Sequence, residues 1–158
     1  MSNQIHPTSI IHNGSEIGDN VIIGPYSIIG PNVKINKNTK IHSHVIVVGN
    51  TTIGFNNEIY PFTAIGSDPQ HLKYDGELTE LIIGNHNVFR EHVTIHPGTN
   101  VGTKKTIIGN NGFFMVGSHV AHDCIVGNNV VFVNNAVIGG HGEISDYVSL
   151  GGQSAVHQ

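Results

Sequence analysis

The chain has 158 residues, the size of one domain, and only 11% of them are charged. Its net charge is −4 with histidine counted as neutral, so the composition gives no support for nucleic-acid binding. No apolar run approaches the roughly 18 residues of a membrane span, and the N-terminus lacks the charged and apolar segments of a secretory signal. With a single cysteine, these features predict a cytoplasmic protein.

A large apolar residue recurs at every sixth position along the chain. The three unbroken runs are Ile5 to Ile65, Ile83 to Ile95 and Ile108 to Val156. Helices need apolar residues three and four apart and simple strands need alternation, so neither explains this period. A short fixed period is typical of a solenoid. Three strands per eighteen-residue coil predict an all-β triangular prism, with Ile23, Ile41 and Ile59 stacked inside one face.

Two insertions interrupt the six-residue count, one after Ile65 and one after Ile95. We expect the insertions to form loops at about residues 67–81 and 97–106, within a single domain that spans residues 1–158. With the insertions removed, one face of the prism contains the hexads that start at 11, 29, 47, 65, 95, 120, 138 and 156. Both loops leave from that face or its corner. Because uninserted coils stack rigidly, we expect function where the loops lie.

Histidines gather on the same face of the predicted prism. Of the chain's twelve histidines, those in its hexads are His96, His122, His141 and His157, and His119 lies at the corner before His122. Others are interpreted as solvated surface residues: His6, His12, His42, His44 and His86. Five histidines beside two loops predict an active site at this edge. Imidazole titrates near pH 7, so general-base catalysis is the favoured chemistry.

A metal site is the alternative chemistry for such a cluster. Hexapeptide-repeat carbonic anhydrases hold zinc with three histidines, two of them five residues apart, and no two histidines here have that spacing. No cysteine or carboxylate cluster has ligand spacing either. We therefore predict no metal and no cofactor. Cys124 occupies a small inward position of its hexad, which indicates a core residue rather than a nucleophile.

Five local sequences carry a resemblance to a known family. They are PQHLKYDGE (Pro69–Glu77), VTIHPGT (Val93–Thr99), SHVAHDC (Ser118–Cys124), NNAVIGGH (Asn134–His141) and GGQSAVHQ (Gly151–Gln158). In register over essentially the whole chain, the sequence resembles the UDP-N-acetylglucosamine O-acyltransferases that open lipid A synthesis in Gram-negative bacteria. Many acyltransferases share the hexad repeat, whereas the combination of AHDC, the LKY loop and AVHQ is specific to this family.

The resemblance implies a left-handed parallel β-helix that forms a cytoplasmic homotrimer, with clefts between subunits. It implies transfer of an (R)-3-hydroxyacyl group from acyl carrier protein to the 3-hydroxyl of UDP-N-acetylglucosamine. His122 matches the family's general base, Asp123 its partner, and Gly140 the backbone N–H that stabilises the oxyanion. The residues that match substrate-cleft positions are Lys73, His96, His119, His141, His157 and Gln158.

Two departures from the family pattern bear on function. His71 stands where the family usually carries a carboxylate that contacts the sugar, which leaves a 3-amino sugar open as the acceptor. We also expect the chain to lack the family's further coils and helical C-terminal domain. Three other functions stay open. They are a hexapeptide acyltransferase that uses coenzyme A or another nucleotide sugar, a γ-type carbonic anhydrase, and a trimeric scaffold without activity.

Overall fold

The computed structural model describes residues 2–158, which form twenty-three short strands in three parallel sheets. Sheet 1 contains β1 (Gln4–Ile5), β4 (Ile22–Ile23), β7 (Lys40–Ile41), β10 (Glu58–Ile59), β13 (Val88–Phe89), β16 (Phe113–Phe114), β19 (Val131–Phe132) and β22 (Ser149–Leu150). Sheet 2 contains β2 (Ile10–Ile11), β5 (Ile28–Ile29), β8 (Ile46–Val47), β11 (Ala64–Ile65), β14 (Thr94–Ile95), β17 (His119–Val120), β20 (Val137–Ile138) and β23 (Ala155–Val156). Sheet 3 contains β3 (Glu16–Ile17), β6 (Lys34–Ile35), β9 (Asn50–Ile53), β12 (Glu80–Ile83), β15 (Lys105–Ile108), β18 (Ile125–Val126) and β21 (Glu143–Ile144).

The pairing of these strands confirms the predicted triangular prism. Each strand pairs in parallel with the strand one coil further on, and Ile23, Ile41 and Ile59 are consecutive partners in sheet 1. The face predicted from the hexads is sheet 2, because its strands end at the predicted positions. Residues 2–158 contain no helix with the length and apolar character of a membrane span.

The inward residues of the hexads form one continuous core along the prism axis. In sheet 1 the rings of Phe89, Phe114 and Phe132 follow one another with centroids 4.9 Å apart at each step. All three side chains are fully buried. A residue in a middle coil therefore packs against a coil on each side, as expected for a solenoid.

Both long loops leave the prism at the same edge, between sheets 2 and 3, which we call the site edge. The first loop, residues 66–79, joins β11 to β12, and the second loop, residues 96–104, joins β14 to β15. In the structure, residues 80–81 and 105–106 lie in strands rather than in the loops. They do so because β9, β12 and β15 pair over four residues each, which extends the sheet toward the loops.

We predict that Phe114→Ala lowers the free energy of unfolding by about 3–5 kcal/mol, since it leaves a cavity between two buried rings. Ile125→Ala is the control, because Ile125 is 43% exposed on the outer side of sheet 3. Urea unfolding followed by circular dichroism measures both changes. Equal losses in the two variants would contradict the assignment of the core.

Candidate active site

The central feature of the site edge is a buried pair of neighbouring residues, His122 and Asp123. Both lie in the turn between β17 and β18, and Asp123 adopts a φ of 59°, a left-handed conformation that aspartate tolerates better than most residues. In this turn His122 Nδ1 lies 2.8 Å from Asp123 Oδ2. The carboxylate accepts the Nδ1–H, so the imidazole presents Nε2 as its remaining nitrogen.

The second loop holds the Asp123 carboxylate. The backbone N–H of Thr99 donates to both oxygens at 3.0 and 3.1 Å, and the Thr99 hydroxyl donates at 2.6 Å. The Lys104 amide donates a further bond at 3.1 Å. Burial alone would raise the pKa of Asp123, but the bonds from Thr99 and His122 outweigh it and lower that pKa. The carboxylate is therefore kept ionised and fixed in place.

Gly102 allows the second loop to lie close to Asp123, because a Cβ at position 102 would overlap the Asp123 carboxylate. Thr99 and Gly102 are functional residues that the sequence reasoning missed. Thr99 ends one of the motifs that carry the family resemblance, which was the available signal for it.

Two further imidazoles surround His122. The His71 ring from the first loop lies 4.9 Å from it, and the His141 ring from the next coil lies 5.1 Å from it, centroid to centroid. Both pairs are close to perpendicular. The spacing along the sequence indicated no metal site, yet one candidate ligand atom from each of His122, Asp123 and His141 lies within 4.8 Å of the others.

His96 and His119 form a second pair of imidazoles, with ring centroids 4.9 Å apart. Burial, followed by the nearby His119 and His122, lowers the pKa of His96 to about 4. Burial also lowers the pKa of His119, whose Nδ1 lies 2.7 Å from the Thr94 hydroxyl. Both rings are consequently neutral near pH 7 and act as hydrogen-bonding groups rather than as cations.

Gly140 lies directly against the catalytic imidazole that the sequence predicts. A Cβ at this position would overlap His122 Cε1 and Nε2, so only glycine leaves the ring in place. Within residues 2–158 the Gly140 amide donates no hydrogen bond to another protein group. The amide is thus available to a ligand beside His122.

The two loops are joined to each other at the site edge. The Glu77 carboxylate accepts bonds from the Asn100 amide at 3.0 Å and from the Asp75 amide at 2.8 Å. These backbone bonds are the main cause of a lowered pKa at Glu77. The Gln70 amide also donates to His96 Nδ1 at 3.4 Å. Glu77 is a third residue that the sequence reasoning missed, although it also lies in a quoted motif.

The structure therefore brings together most of the predicted site residues, which are His71, His96, His119, His122, Asp123, Gly140 and His141. Lys73, His157 and Gln158 are exposed, and in the described part of the chain their side chains bond none of these residues. Cys124 is fully buried, its Sγ lies 3.2 Å from the Gly139 carbonyl, and burial raises its pKa to about 11. Its predicted core position is confirmed.

Comparison with known proteins agrees with this fold. The family model for bacterial transferase hexapeptides (six repeats) matches residues 2–31 and 14–49. The acyl-[acyl-carrier-protein]--UDP-N-acetylglucosamine O-acyltransferase of Sinorhizobium fredii is 48% identical over 157 residues, which cover 99% of this chain and 58% of the relative.

Two solved structures extend the comparison. The UDP-N-acetylglucosamine O-acyltransferase of Moraxella catarrhalis matches with a TM-score of 0.96 and 51% identity, over 98% of this chain and 60% of that one. The UDP-N-acetylglucosamine acyltransferase of Bacteroides fragilis matches with a TM-score of 0.73 and 36% identity, over 94% of this chain and 67% of that one.

The repeat, the three parallel sheets and these matches define a hexapeptide-repeat protein with the left-handed parallel β-helix fold. More narrowly, the chain belongs to the UDP-N-acetylglucosamine O-acyltransferase family. It spans 58% of the Sinorhizobium relative and 60% of the Moraxella structure.

The buried His96 predicts an acid-sensitive fold. Its pKa falls from about 6.5 in the unfolded chain to about 4 in the folded protein, so between these values the unfolded state binds the additional proton. Stability is then complete above about pH 6.5 and falls as the pH decreases toward 4. Urea midpoints at pH 7 and pH 5 measure the loss. We expect His96→Gln to lose less stability between pH 7 and pH 5 than the unmodified chain does. An equal loss in both proteins would contradict the assignment of the acid sensitivity to His96.

Proposed function

We propose that the protein transfers an (R)-3-hydroxyacyl group from acyl carrier protein to the 3-hydroxyl of UDP-N-acetylglucosamine, the first step of lipid A synthesis, in the cytoplasm. The observation that carries the proposal is the buried His122–Asp123 pair. The imidazole lies against Gly140, whose amide donates to no protein group within residues 2–158. The names of the relatives supply the substrate class.

His122 acts as the general base in the proposed reaction. A sugar hydroxyl is a weak nucleophile near neutral pH, so Nε2 takes its proton as the oxygen attacks the thioester carbonyl. Asp123 holds the hydrogen on Nδ1 and stabilises the imidazolium that forms. Because Thr99 and Lys104 donate to the carboxylate, Asp123 stays an acceptor throughout.

The Gly140 amide stabilises the charge that develops on the carbonyl oxygen. A backbone N–H suits this role because it is fixed before the reaction begins and needs no rearrangement. The new C–O bond forms, the C–S bond of the thioester breaks, and the imidazolium returns its proton to the departing thiolate. No covalent acyl-enzyme is needed, which agrees with the burial and raised pKa of Cys124.

The remaining residues position the two substrates. His71 and His141 flank His122 on two sides and contact the acceptor sugar. His96 and His119 offer neutral imidazoles at the same edge. Lys73 supplies an exposed cation for the diphosphate, and His157 and Gln158 lie near the nucleotide. With an imidazole at position 71 instead of a carboxylate, the acceptor can also be a 3-amino sugar.

A trimer completes the cleft in this proposal. The outer side of sheet 2 presents Ile10, Ile28 and Ile46 in register, and the first and last of these are exposed apolar residues. Beside them, at the edge with sheet 1, runs a ladder of exposed rings: Tyr26, His44, Phe62 and His92. A second copy of this chain seated on sheet 2 covers this apolar surface, and His119 and the site edge then border the interface.

The function is tested by incubating the chain with an (R)-3-hydroxyacyl carrier protein and UDP-N-acetylglucosamine, with product detected by mass spectrometry. We expect acylated nucleotide sugar in this arm and much less when the coenzyme A thioester is the donor. A parallel arm offers the 3-amino analogue of the sugar. Product from coenzyme A alone, or no product with either donor, would contradict the proposal.

We predict that His122→Ala lowers the rate of acyl transfer by about 10²–10⁴-fold, because it removes the general base. His12→Ala is the matched control, since His12 is an exposed residue at the same edge in the first coil and forms no hydrogen bond with either loop. Circular dichroism checks that both variants keep the fold. Full activity in the His122 variant together with a loss in the His12 variant would overturn the catalytic assignment.

Sedimentation velocity tests the trimer. We expect the chain to sediment as a trimer at micromolar concentration, and Ile46→Glu to shift it toward the monomer by placing a charge in the sheet 2 contact. Ile125→Glu is the control because Ile125 is 43% exposed on the outer side of sheet 3, against 40% for Ile46. The proposed trimer would be refuted if the unmodified chain and both variants sedimented as monomers.

A further inference from the structure

Few hydrogen bonds attach the first loop to the rest of the protein. Within the part of the chain that the structure describes, only two join residues 67–79 to other segments. The Gln70 amide donates to His96 Nδ1 at 3.4 Å, and Glu77 Oε1 accepts from the Asn100 amide at 3.0 Å. The bond to Glu77 has the usual N–H···O length, whereas the other is long. Glu77 therefore provides the main polar attachment of the first loop.

Apolar packing does little to hold the same loop. The side chain of Leu72 is fully exposed, and that of Leu78 is 79% exposed. The hydroxyl of Tyr74 donates to Asp68 at 3.3 Å, but both of these residues lie inside the loop. A segment with few buried apolar contacts opens locally at a low cost in free energy. The position of the first loop thus depends on its hydrogen bonds to other segments.

Hydrogen bonds inside the first loop connect Glu77 to His71. The second carboxylate oxygen of Glu77, Oε2, accepts from the Asp75 amide at 2.8 Å. The preceding amide, that of Tyr74, donates to the His71 carbonyl at 3.0 Å. The Lys73 amide donates to His71 Nδ1 at 3.2 Å. A change in the position of Glu77 therefore also moves the turn that carries the His71 ring.

The second loop connects Glu77 to His122 from the other side. Asn100, whose amide binds Glu77, directly follows Thr99. The amide and the hydroxyl of Thr99 donate to the Asp123 carboxylate. Asp123 in turn accepts the Nδ1–H of His122. Two neighbouring amides of the second loop are thus bound by two different carboxylates, one from the first loop and one from the turn that carries the base.

Both connections end at one pair of rings, because the centroids of His71 and His122 lie 4.9 Å apart. We propose that Glu77 is a positioning residue, which holds the first loop so that His71 faces the acceptor sugar beside His122. The inference rests on the acyl transfer proposed above. Glutamate suits the role because each of its two oxygens accepts one amide hydrogen. Glutamine would offer only one acceptor oxygen and would turn its NH₂ group toward an amide donor.

Initial-rate kinetics test the role with the Glu77→Gln variant. We expect the KM for UDP-N-acetylglucosamine to rise roughly tenfold, the effect of one lost hydrogen bond to a charged group. We expect kcat to change by less than about twofold, because the loss concerns substrate binding and not the base. Thr99 keeps its bonds to Asp123, and its carbonyl still accepts the Gly102 and Lys104 amides at 3.1 and 3.2 Å.

Glu80→Gln is the matched control, since it removes the same charge from the next carboxylate along the chain. Glu80 begins β12, and its Oε2 lies 4.0 Å from Lys105 Nζ. Within residues 2–158 its carboxylate accepts no hydrogen bond from either loop. We expect KM and kcat to stay unchanged. An equal rise of KM in both variants would show that the charge alone matters, and would overturn the positioning role.

Hydrogen–deuterium exchange tests the attachment of the loop without substrate or activity. In Glu77→Gln we expect the bonded amides of peptides that cover residues 67–79 and 96–104 to exchange about tenfold faster. The core strands, and the whole of the Glu80 variant, should exchange at the unmodified rate. Unchanged exchange in the Glu77 variant, or a fall in kcat with an unchanged KM, would overturn the proposal. If the unmodified chain transfers no acyl group while the loops respond as expected, the result counts against the proposed function alone.

Discussion

The bond network around the Asp123 carboxylate is the constraint on which the site depends. Thr99 donates both its amide and its hydroxyl to this buried group, and His122 donates its Nδ1–H. A buried carboxylate without such donors would be strongly destabilised. The same bonds that allow Asp123 to be buried and ionised also set the orientation of the imidazole and anchor the second loop. The position of the second loop and the orientation of the His122 ring therefore depend on the same hydrogen bonds.

The repeat explains why this network forms where it does. Parallel pairing in sheet 2 places His119 opposite Thr94 on one side and Val137 on the other, so residues about one coil apart become neighbours. Both insertions lie between a sheet 2 strand and a sheet 3 strand, and they must leave from the same edge. The rigid coils hold the backbone of the turn that contains His122 and Asp123, and the two loops then enclose the side chains of this turn.

The six-residue count was enough to predict the prism, the sheet 2 face and the gathering of His96, His122 and His141 at that face, because each follows from the coil length. The contacts of the loops could not be predicted in this way. Thr99, Gly102 and His71 lie in insertions that do not follow the repeat, so no register indicated that Thr99 holds Asp123 or that His71 packs on His122. The pKa of His96 likewise depends on burial by neighbouring segments.

The most direct test of this account is the tautomer of His122 in the whole chain. Nitrogen-15 NMR of the imidazole, assigned by comparison with His122→Asn, distinguishes a hydrogen on Nδ1 from one on Nε2. The account predicts the Nδ1–H tautomer at neutral pH, with its hydrogen bonded to Asp123 and Nε2 free to accept a proton. An Nε2–H tautomer would contradict it, because that nitrogen could then not take the hydroxyl proton.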